Sequence, residues 1–440
     1  MNQKNELFTS MPVGKAVAKL AVPTVISQII VILYSLADTF FIGQIGDPNQ
    51  IAALSITFPI YTRLTAAANL FGIGANSVIA RSMGQNDEIT TKRTSSFAFW
   101  ASLVVTGVLS VLLAVFMTPV LKFFGANQLT LGFTADYLFW VFVIGGIPTA
   151  AGLVLGHLVR AVGKTKEAGI GLTIGGVMNI ILDPIFIFVF EMDVAGAAVA
   201  TMLSNVIFMF YLLGVLLKIC RSTVLTLSPK YVSLEKRVSF GTLSVGFPAA
   251  ISVLLVCVSI SLLNGLLLRH EGGNILSAAY GVTSKCGTIA LHISIGIAQG
   301  VMPLIGYSYG AKDHKRVHDV CRLAFRILWV FSVVFLLVVQ LVPGPIVRLF
   351  ILRDTAPCLT VFIHASDEKG AERIVTVYGQ REESPAQRLH DKDKKRKAFY
   401  ELYTGTQWGQ ADNYDLCLDS GKIGVDGCVN LITQLYQQGA

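Results

Sequence analysis

The chain has 440 residues, of which 53% are hydrophobic and only 14% are charged. Soluble proteins carry roughly 25% charged residues, and the mean hydropathy of this chain is +0.63. The composition therefore excludes an ordinary soluble protein. The net charge is +8. We expect the lipid bilayer as a partner, and no nucleic acid.

Nine apolar segments are long enough to cross a bilayer, since a spanning helix needs about 20 mainly apolar residues. We predict them at residues 16–42, 51–79, 95–119, 131–158, 168–190, 195–218, 241–267, 275–304 and 320–347. The polar N-terminus leads directly into the first segment, so no cleavable signal peptide is predicted. The seven cysteines show no metal-ligand spacing, and we expect free thiols.

Lysine and arginine concentrate in alternate loops between these segments. The basic loops follow the second, fourth, sixth and eighth segments and contain Arg81, Lys92, Arg93, Arg160, Lys164, Lys166, Lys218, Arg221, Lys230, Lys236, Arg237, Lys312, Lys315 and Arg316. Because cytoplasmic loops carry the excess of Lys and Arg, the N-terminus is predicted to be cytoplasmic. We expect a multi-pass protein of the plasma membrane.

The membrane part repeats itself at a nearly constant offset. AVPTVISQ (21–28) matches GFPAAISV (246–253), and GANSVIARSMGQND (74–87) matches GVMPLIGYSYGAKD (300–313). Many transporters consist of two such halves with a site near the bilayer midplane. The first copy has six predicted helices and the second has three. Asp38 corresponds to Asn264, so this acid occurs in one half only.

Two acids, Asp38 and Asp183, lie within long apolar runs. An acid at membrane depth is costly, faces inward and usually has a function. Asn179 lies one helical turn before Asp183 and shares its face. Pro184 should bend the helix and free a backbone carbonyl, and Thr201 in the next segment could add a hydroxyl. This all-oxygen set suits a hard monovalent cation such as Na⁺, or a shared proton.

Several polar and aromatic residues leave alternatives open. The two acids could instead only join helices through hydrogen bonds. Lys285 could line a pathway, or could reach the interface or a neighbouring helix, and His292 is expected to have a packing role. Tyr34 could line the pathway too, although packing or lipid contact is the default for most aromatic residues.

Residues 1–352 resemble the multidrug and toxic compound extrusion (MATE) family. The stretches that carry the resemblance are LAVPTVISQIIVILYSLADTFFIGQIG, GHLVRAVGKTKEA, NIILDPIFIF, VAGAAVATMLSN and GVMPLIGYSYGAKD. The resemblance implies an all-α polytopic membrane protein with two helical lobes, which exports cationic or amphipathic compounds in exchange for Na⁺ or H⁺ and needs no other cofactor. It places Asp38, Asn179, Asp183 and Thr201 in a cation site of the N-lobe. The protein is expected to be a monomer.

The tail from about residue 353 has the composition of soluble α/β material. Its VFIHA, RLHDKDKKRKAFY, YTGTQWG and YDLCLDS stretches resemble the C-terminal half of cytidylate-kinase-like proteins. The resemblance places Arg388, Lys392 and Arg396 in a phosphate-contacting lid, and a solvated basic helix face is the alternative. No G-x-x-x-x-G-K-[ST] phosphate loop occurs in the sequence, so we expect no enzyme activity.

These features predict four parts: a six-helix N-lobe (1–219), a cytoplasmic linker (220–240), an incomplete three-helix C-lobe (241–352) and a kinase-like fragment (353–440). A fusion with an internal deletion, a recombination or assembly artefact, and a re-entrant ninth segment all fit this order. For function, an exporter competes with a membrane-tethered nucleotide-binding module, a lipid or polysaccharide flippase and a non-functional chimera.

Overall fold

The apolar runs of the sequence form long helices, because a helix satisfies every backbone polar group within its own segment. A computed structural model describes residues 3–45, 47–220, 223–268, 273–341, 361–378, 384–404 and 407–437. The chain divides into two compact units, residues 1–332 and 333–440, and the division falls within a helix.

Among the described residues, the first half of the membrane part contains nine α-helices and two π-helical turns. The helices are α1 Gln3–Thr9, α2 Val13–Gln44, α3 Pro48–Gly84, α4 Glu88–Val115, α5 Met117–Phe123, α6 Leu131–Leu138, α7 Gly146–Ala161, α8 Thr165–Pro184 and α9 Asp193–Cys220. The π-helical turns are Phe139–Ile144, between α6 and α7, and Ile185–Val189, directly after α8. Three further helices follow: α10 Lys236–Leu268, α11 Gly273–Gly310 and α12 His314–Leu341.

All nine predicted segments contain helix, but not every one contains a single helix that is long and apolar enough to cross a bilayer. Among the described residues, seven helices are long and apolar enough to cross a bilayer, and the pair 131–144 and 146–161, bent by 49°, can count as an eighth. Helix α3 is not among these seven, although it has 37 residues. Its polar residues, including the buried Gln50, Thr57 and Asn76, lower its hydropathy. The predicted ninth segment is helical to Leu341, and its residues 342–347 lie outside the described residues.

The helix bounds confirm the repeat. Helices α4 and α12 both have 28 residues, and their first residues, Glu88 and His314, are as far apart in the sequence as Asp38 and Asn264. Two glycines from the two copies meet where α3 crosses α11. A Cβ on Gly84 would lie 2.1 Å from the carbonyl oxygen of Tyr307, and a Cβ on Gly310 would lie 2.0 Å from that of Arg81. These contacts are equivalent under the same offset, so a pseudo-twofold relation passes through this crossing.

The first copy has its own packed interior. Its largest apolar cluster joins α3, α4, α7 and α9 around Phe71, Leu155, Leu158, Phe208 and Leu212. Helix α4 contributes a buried face of small polar residues that includes Thr94, Ser102, Thr106 and Ser110. Small residues permit close helix packing in a membrane, and Ser110 also donates a 3.0 Å hydrogen bond to the Phe142 carbonyl in the π-helical turn.

The described tail forms a small α/β unit, as the sequence predicts. It contains β1 Val361–His364, α13 Asp367–Tyr378, α14 Pro385–Thr404, β2 Leu416–Asp419 and α15 Ser420–Gln437. The two strands pair in parallel, with Val361 opposite Leu416 and His364 opposite Asp419. Helix α15 has a kink at Gly424, which has a φ of +74°.

Candidate cation and substrate site

Helices α8 and α9 bring three of the predicted site residues into contact. The side-chain amide of Asn179 donates to Oδ1 of Asp183 at 3.1 Å and to Oγ1 of Thr201 at 3.3 Å. Asp183 is fully buried and Asn179 is 3% exposed. The one-turn spacing of Asn179 and Asp183 therefore produces a buried polar pair, to which α9 adds a hydroxyl.

Three oxygens of the predicted site residues are buried without a hydrogen-bond partner. They are Oδ1 of Asp38, Oδ1 of Asn179 and Oδ2 of Asp183. Asp38, on α2, is half-buried, and its carboxyl group is close enough to that of Asp183 for electrostatic interaction. A buried acceptor without a partner is costly. A proton or a hard cation would remove that cost, and oxygens are the ligands that hard cations take.

The local sequence explains how α8 presents this pair. Helix α8 ends at Pro184, which has no N–H to continue the α-helical bonding, and the chain proceeds as the π-helical turn Ile185–Val189. Such turns occur frequently at functional sites. One turn before Asn179, a Cβ on Gly176 would lie 2.9 Å from Cγ2 of Ile30 and 3.1 Å from Cδ1 of Tyr34. The glycine allows α8 to approach α2, the helix that carries Asp38.

Three tyrosine side chains, Tyr34, Tyr61 and Tyr137, lie within electrostatic range of Asp38. Tyr137 lies within electrostatic range of Asp38, Asp183, Tyr34 and Tyr61, so α2, α3, α6 and α8 each contribute to one polar centre. Lys285 of α11 interacts electrostatically with Asp38, although the lysine is exposed. This places the predicted pathway residue on the side of Asp38 that faces the second repeat.

Two further polar contacts between helices were not predicted from the sequence. Gln28 of α2 is buried, and its Oε1 lies 2.8 Å from Nδ1 of His292 in α11. This bond supports the expected packing role of His292 and joins the two repeats. Asn205 of α9 donates to Oγ1 of Thr149 at 3.0 Å. Neutral amides and hydroxyls are common on helices of this kind, so the sequence carries no signal that these particular ones pair.

The predicted lid residues of the tail do not form one uniform surface. Helix α14 carries all three, but Arg388 is buried, while Nη1 of Arg396 lies 3.1 Å from Oδ1 of Asp393 on the same helix. The side chain of Lys392 lies outside the described residues. Arg396 thus matches the alternative of a solvated helix face.

Among the described residues, no three His, Cys, Asp or Glu side chains are grouped so that they could hold a metal ion. Asp38 and Asp183 supply only two such side chains. A cation at this place would need the amide oxygen of Asn179 and the hydroxyl of Thr201 as further ligands.

The helices and their buried polar centre define a polytopic membrane protein built from two related halves. The sequence matches the family model MatE over residues 23–185 and 248–362, which is more than half of the chain. The chain belongs to the MatE family. A second match, to the cytidylate kinase-like family, covers residues 349–422.

Curated relatives and solved structures agree with this assignment. The chain is 32% identical over 333 residues to the multidrug export protein MepA of Staphylococcus saprophyticus, with 76% of this chain and 72% of that protein covered. It is 30% identical over 343 residues to MepA of Staphylococcus aureus strain MSSA476, with coverage of 78% and 75%.

Two solved structures show the same fold. An outward-facing multidrug resistance MATE family transporter has a TM-score of 0.72 at 24% identity and covers 80% of this chain and 76% of its own. A MOP superfamily transporter from Pyrococcus furiosus has a TM-score of 0.72 at 23% identity, with coverage of 81% and 77%.

Proposed function

We propose that this protein exports small cationic or amphipathic compounds across the plasma membrane in exchange for Na⁺ or H⁺. The observation that carries the proposal is the group of three buried oxygens without partners on Asp38, Asn179 and Asp183. Two similar proteins carry the name multidrug export protein, which supports the direction and the kind of cargo.

In this proposal the N-lobe acids bind the coupling ion. Asp183 is the fully buried carboxylate, and Asn179 holds its Oδ1 in place through a 3.1 Å hydrogen bond. Asp38 and Thr201 complete the oxygen set from α2 and α9. Tyr34, one helical turn before Asp38, and Lys285, which interacts electrostatically with Asp38, line the substrate pathway in this proposal. When an ion or proton neutralises the acids, their attraction for a cationic substrate falls, and this competition links the two movements.

We further propose that the protein is a monomer with a cytoplasmic N-terminus, divided at residues 219, 240 and 352 as the sequence predicts. The basic loops support the orientation. The two family matches overlap at residues 349–362, which supports a junction there. The second lobe then has three helices before the kinase-like module, and we expect weaker transport than in a relative with two six-helix lobes.

The experiment that tests the proposal is dye export from proteoliposomes that contain the full chain. Asp38→Asn and Asp183→Asn should each abolish ethidium movement driven by a Na⁺ or a proton gradient. Asp136→Asn is the matched control, because Asp136 is an exposed acid of α6 outside the oxygen group. Separate Na⁺ and proton gradients identify the coupling ion. Export at the wild-type rate by both site variants, with unchanged gel-filtration profiles, would refute the proposal.

A second candidate function is nucleotide binding by the tail, which the cytidylate kinase-like match favours. The sequence lacks the Gly-rich loop whose amides and lysine hold phosphates in such kinases. Arg388 and Arg396 alone could contact a phosphate but could not place it for transfer. We therefore propose that any nucleotide interaction of this unit is binding without phosphoryl transfer.

A further inference from the structure

Two adjoining cavities lie where the ends of α3, α10 and α11 meet. The first has a volume of about 600 Å³ and is lined by polar and charged residues, among them Arg81, Gln85, Lys236 and Arg237. The second has a volume of about 550 Å³ and is lined mainly by apolar residues. Arg81 and Tyr309 line both cavities, so the polar cavity and the apolar groove share a wall.

The polar cavity carries unneutralised positive charge. Glu235 is neutralised by Arg93, and Arg237 pairs with Asp87 at 3.2 Å. Arg81 is half-buried, and its Nε donates to the Ser77 carbonyl at 3.3 Å. Within the described ranges, no carboxylate lies within ion-pair distance of Arg81 or Lys236. Two cationic groups are thus available to an anion.

The apolar groove runs from this charged end into the membrane part of the bundle. Its lining residues on α11 extend from Tyr309 to Ala298, and 11 residues of helix rise about 16 Å. This is roughly half of the ~30 Å hydrocarbon thickness of a bilayer. Met302, Ile305, Ala324, Phe325 and Leu328 form its apolar walls. The groove therefore has the depth of one leaflet.

The order of charged, interfacial and apolar groups along the two cavities matches the order of headgroup, interface and acyl chain in a phospholipid. Cationic groups lie at the helix ends, Arg81 and the aromatic Tyr309 lie at the junction, and apolar side chains follow at greater depth. Tyr309 is 55% exposed, and exposed tyrosines at this level are typical of the interface between headgroups and acyl chains. Basic pockets between helices at a membrane surface bind anionic lipid headgroups.

We propose that this place is a binding site for one anionic phospholipid of the adjacent leaflet. Its phosphate contacts Arg81 and Lys236, and one acyl chain occupies the groove between α3, α11 and α12. The lipid then bridges α3 of the first repeat and α10–α12 of the second. Because it contacts both repeats, it stabilises their packed arrangement at this end of the molecule.

The test is a titration of full-length protein in detergent micelles with phosphatidylglycerol, followed by its melting temperature. Wild-type protein should melt at a higher temperature as the lipid is added. Arg81→Gln and Lys236→Gln should each raise the lipid concentration for half-maximal effect about fivefold. This is the change in affinity that the loss of one basic residue near an anionic membrane usually causes. Ala298→Trp, which places a large ring at an exposed position of the groove, should also weaken the effect.

The controls separate this site from general attraction to anionic surfaces. Lys230→Gln removes an exposed basic residue outside the cavities, and Ala114→Trp adds a ring at an exposed position of α4. Both controls should titrate like wild type. Pocket variants that titrate like the controls would overturn the proposal. An equal effect of phosphatidylcholine, or of glycerol phosphate without acyl chains, would overturn it too. The readout is independent of transport and of the coupling ion.

Discussion

Helices α4 and α12 occupy equivalent places in the two repeats, yet they are buried to very different extents. Both have 28 residues, but α4 has eleven buried residues while α12 has two, Val320 and Ala324. Large apolar side chains of α12 are mostly exposed, as Phe325 (73%) and Trp329 (70%) show. The difference lies in the partners, because α7 packs against α4 and supplies residues of the same apolar cluster.

A helix that is repeated in the sequence can therefore lie in a different environment in each copy. The first repeat adds α6 and α7, which pack against α3, and α8, which packs against α2 and α9. Helix α8 carries Asn179 and Asp183, and α9 carries Thr201. In the second repeat, the described residues after α12 form an α/β unit. The predicted cation-site residues other than Asp38 therefore lie on helices that only the first half has among the described residues.

The largest expected effect comes from moving the acid from one half to the other. Asn264 occupies in α10 the position that Asp38 occupies in α2. The double variant Asp38→Asn with Asn264→Asp therefore moves the acid from α2 to α10 and keeps the number of acids the same. We expect no dye export, because α8 and α9 supply the other site oxygens only beside α2. The measurement is gradient-driven ethidium export from proteoliposomes, as for the single variants.

Asn264→Asp alone serves as the control and should retain export, since Asp38 remains in place. Recovery of export in the double variant, relative to Asp38→Asn, would mean that the two halves are functionally interchangeable. That outcome would contradict the assignment of the ion site to the N-lobe.

The next effect concerns the crossing that the two halves share. Gly84→Ala and Gly310→Ala each place a Cβ about 2 Å from a backbone carbonyl oxygen of the other helix, which cannot move away as a side chain could. We expect each to reduce the free energy of unfolding by at least 1–3 kcal/mol. Melting temperatures in detergent check this. Gly281→Ala, on the same α11 with nothing within 4 Å of its Cβ, should be neutral or slightly stabilising.

The equivalence of the crossing also predicts equal losses for the two variants. A large loss for Gly84→Ala together with a negligible one for Gly310→Ala would show that the pseudo-twofold relation does not extend to energetics.

The fold could largely be predicted from the sequence because apolar length and repetition specify it. Every predicted segment contains a helix, and the sequence offset between the two copies is found again in the starts of α4 and α12. The sequence could not predict that the polar residues Gln50, Thr57 and Asn76 of α3 are buried, because their burial depends on the neighbouring helices. The π-helical turn after Pro184 depends on local geometry, for which the sequence supplied only the proline.

The site could be predicted where rare residues marked it. Acids within apolar runs are costly, so Asp38 and Asp183 attract notice, and the spacing of Asn179 places it beside Asp183. The structure brings Asn179, Asp183 and Thr201 into hydrogen-bond contact. The bond between Gln28 and His292 escaped prediction, because which amide meets which histidine is set by the register of α2 against α11.

The smallest expected effect compares the two equivalent helix N-caps. Asp87 caps α4 and accepts from the backbone N–H of Thr90 at 3.0 Å, and Asp313 accepts from the backbone N–H of Arg316 at 3.0 Å. Asp87 has a further partner, Arg237. Removing a cap costs about 1 kcal/mol, so Asp87→Ala and Asp313→Ala should both lower the melting temperature. Asp87→Ala should lower it more, because it also removes the ion pair with Arg237, which leaves Arg237 with its hydrogen bond to Gln85.

Asp87 should also confer a dependence of stability on pH. The hydrogen bond from the Thr90 backbone N–H, with smaller contributions from the Thr90 hydroxyl, Arg237 and Arg93, holds the pKa of this carboxyl below its ordinary value of 3.8. A pKa that is lower in the folded than in the unfolded chain means that the ionised group stabilises the fold above pH 3.8 and loses this effect as the pH falls through the folded pKa. Asp87→Asn keeps a capping side chain but cannot ionise.

The melting temperature of Asp87→Asn should therefore fall less than that of wild type as the pH falls from about 5 to about 3. The difference should be small, because exposed charges are screened by solvent. Identical acid profiles for wild type and Asp87→Asn would contradict this role, whereas Thr90→Val, which leaves the backbone bond in place, should change the profile only in part.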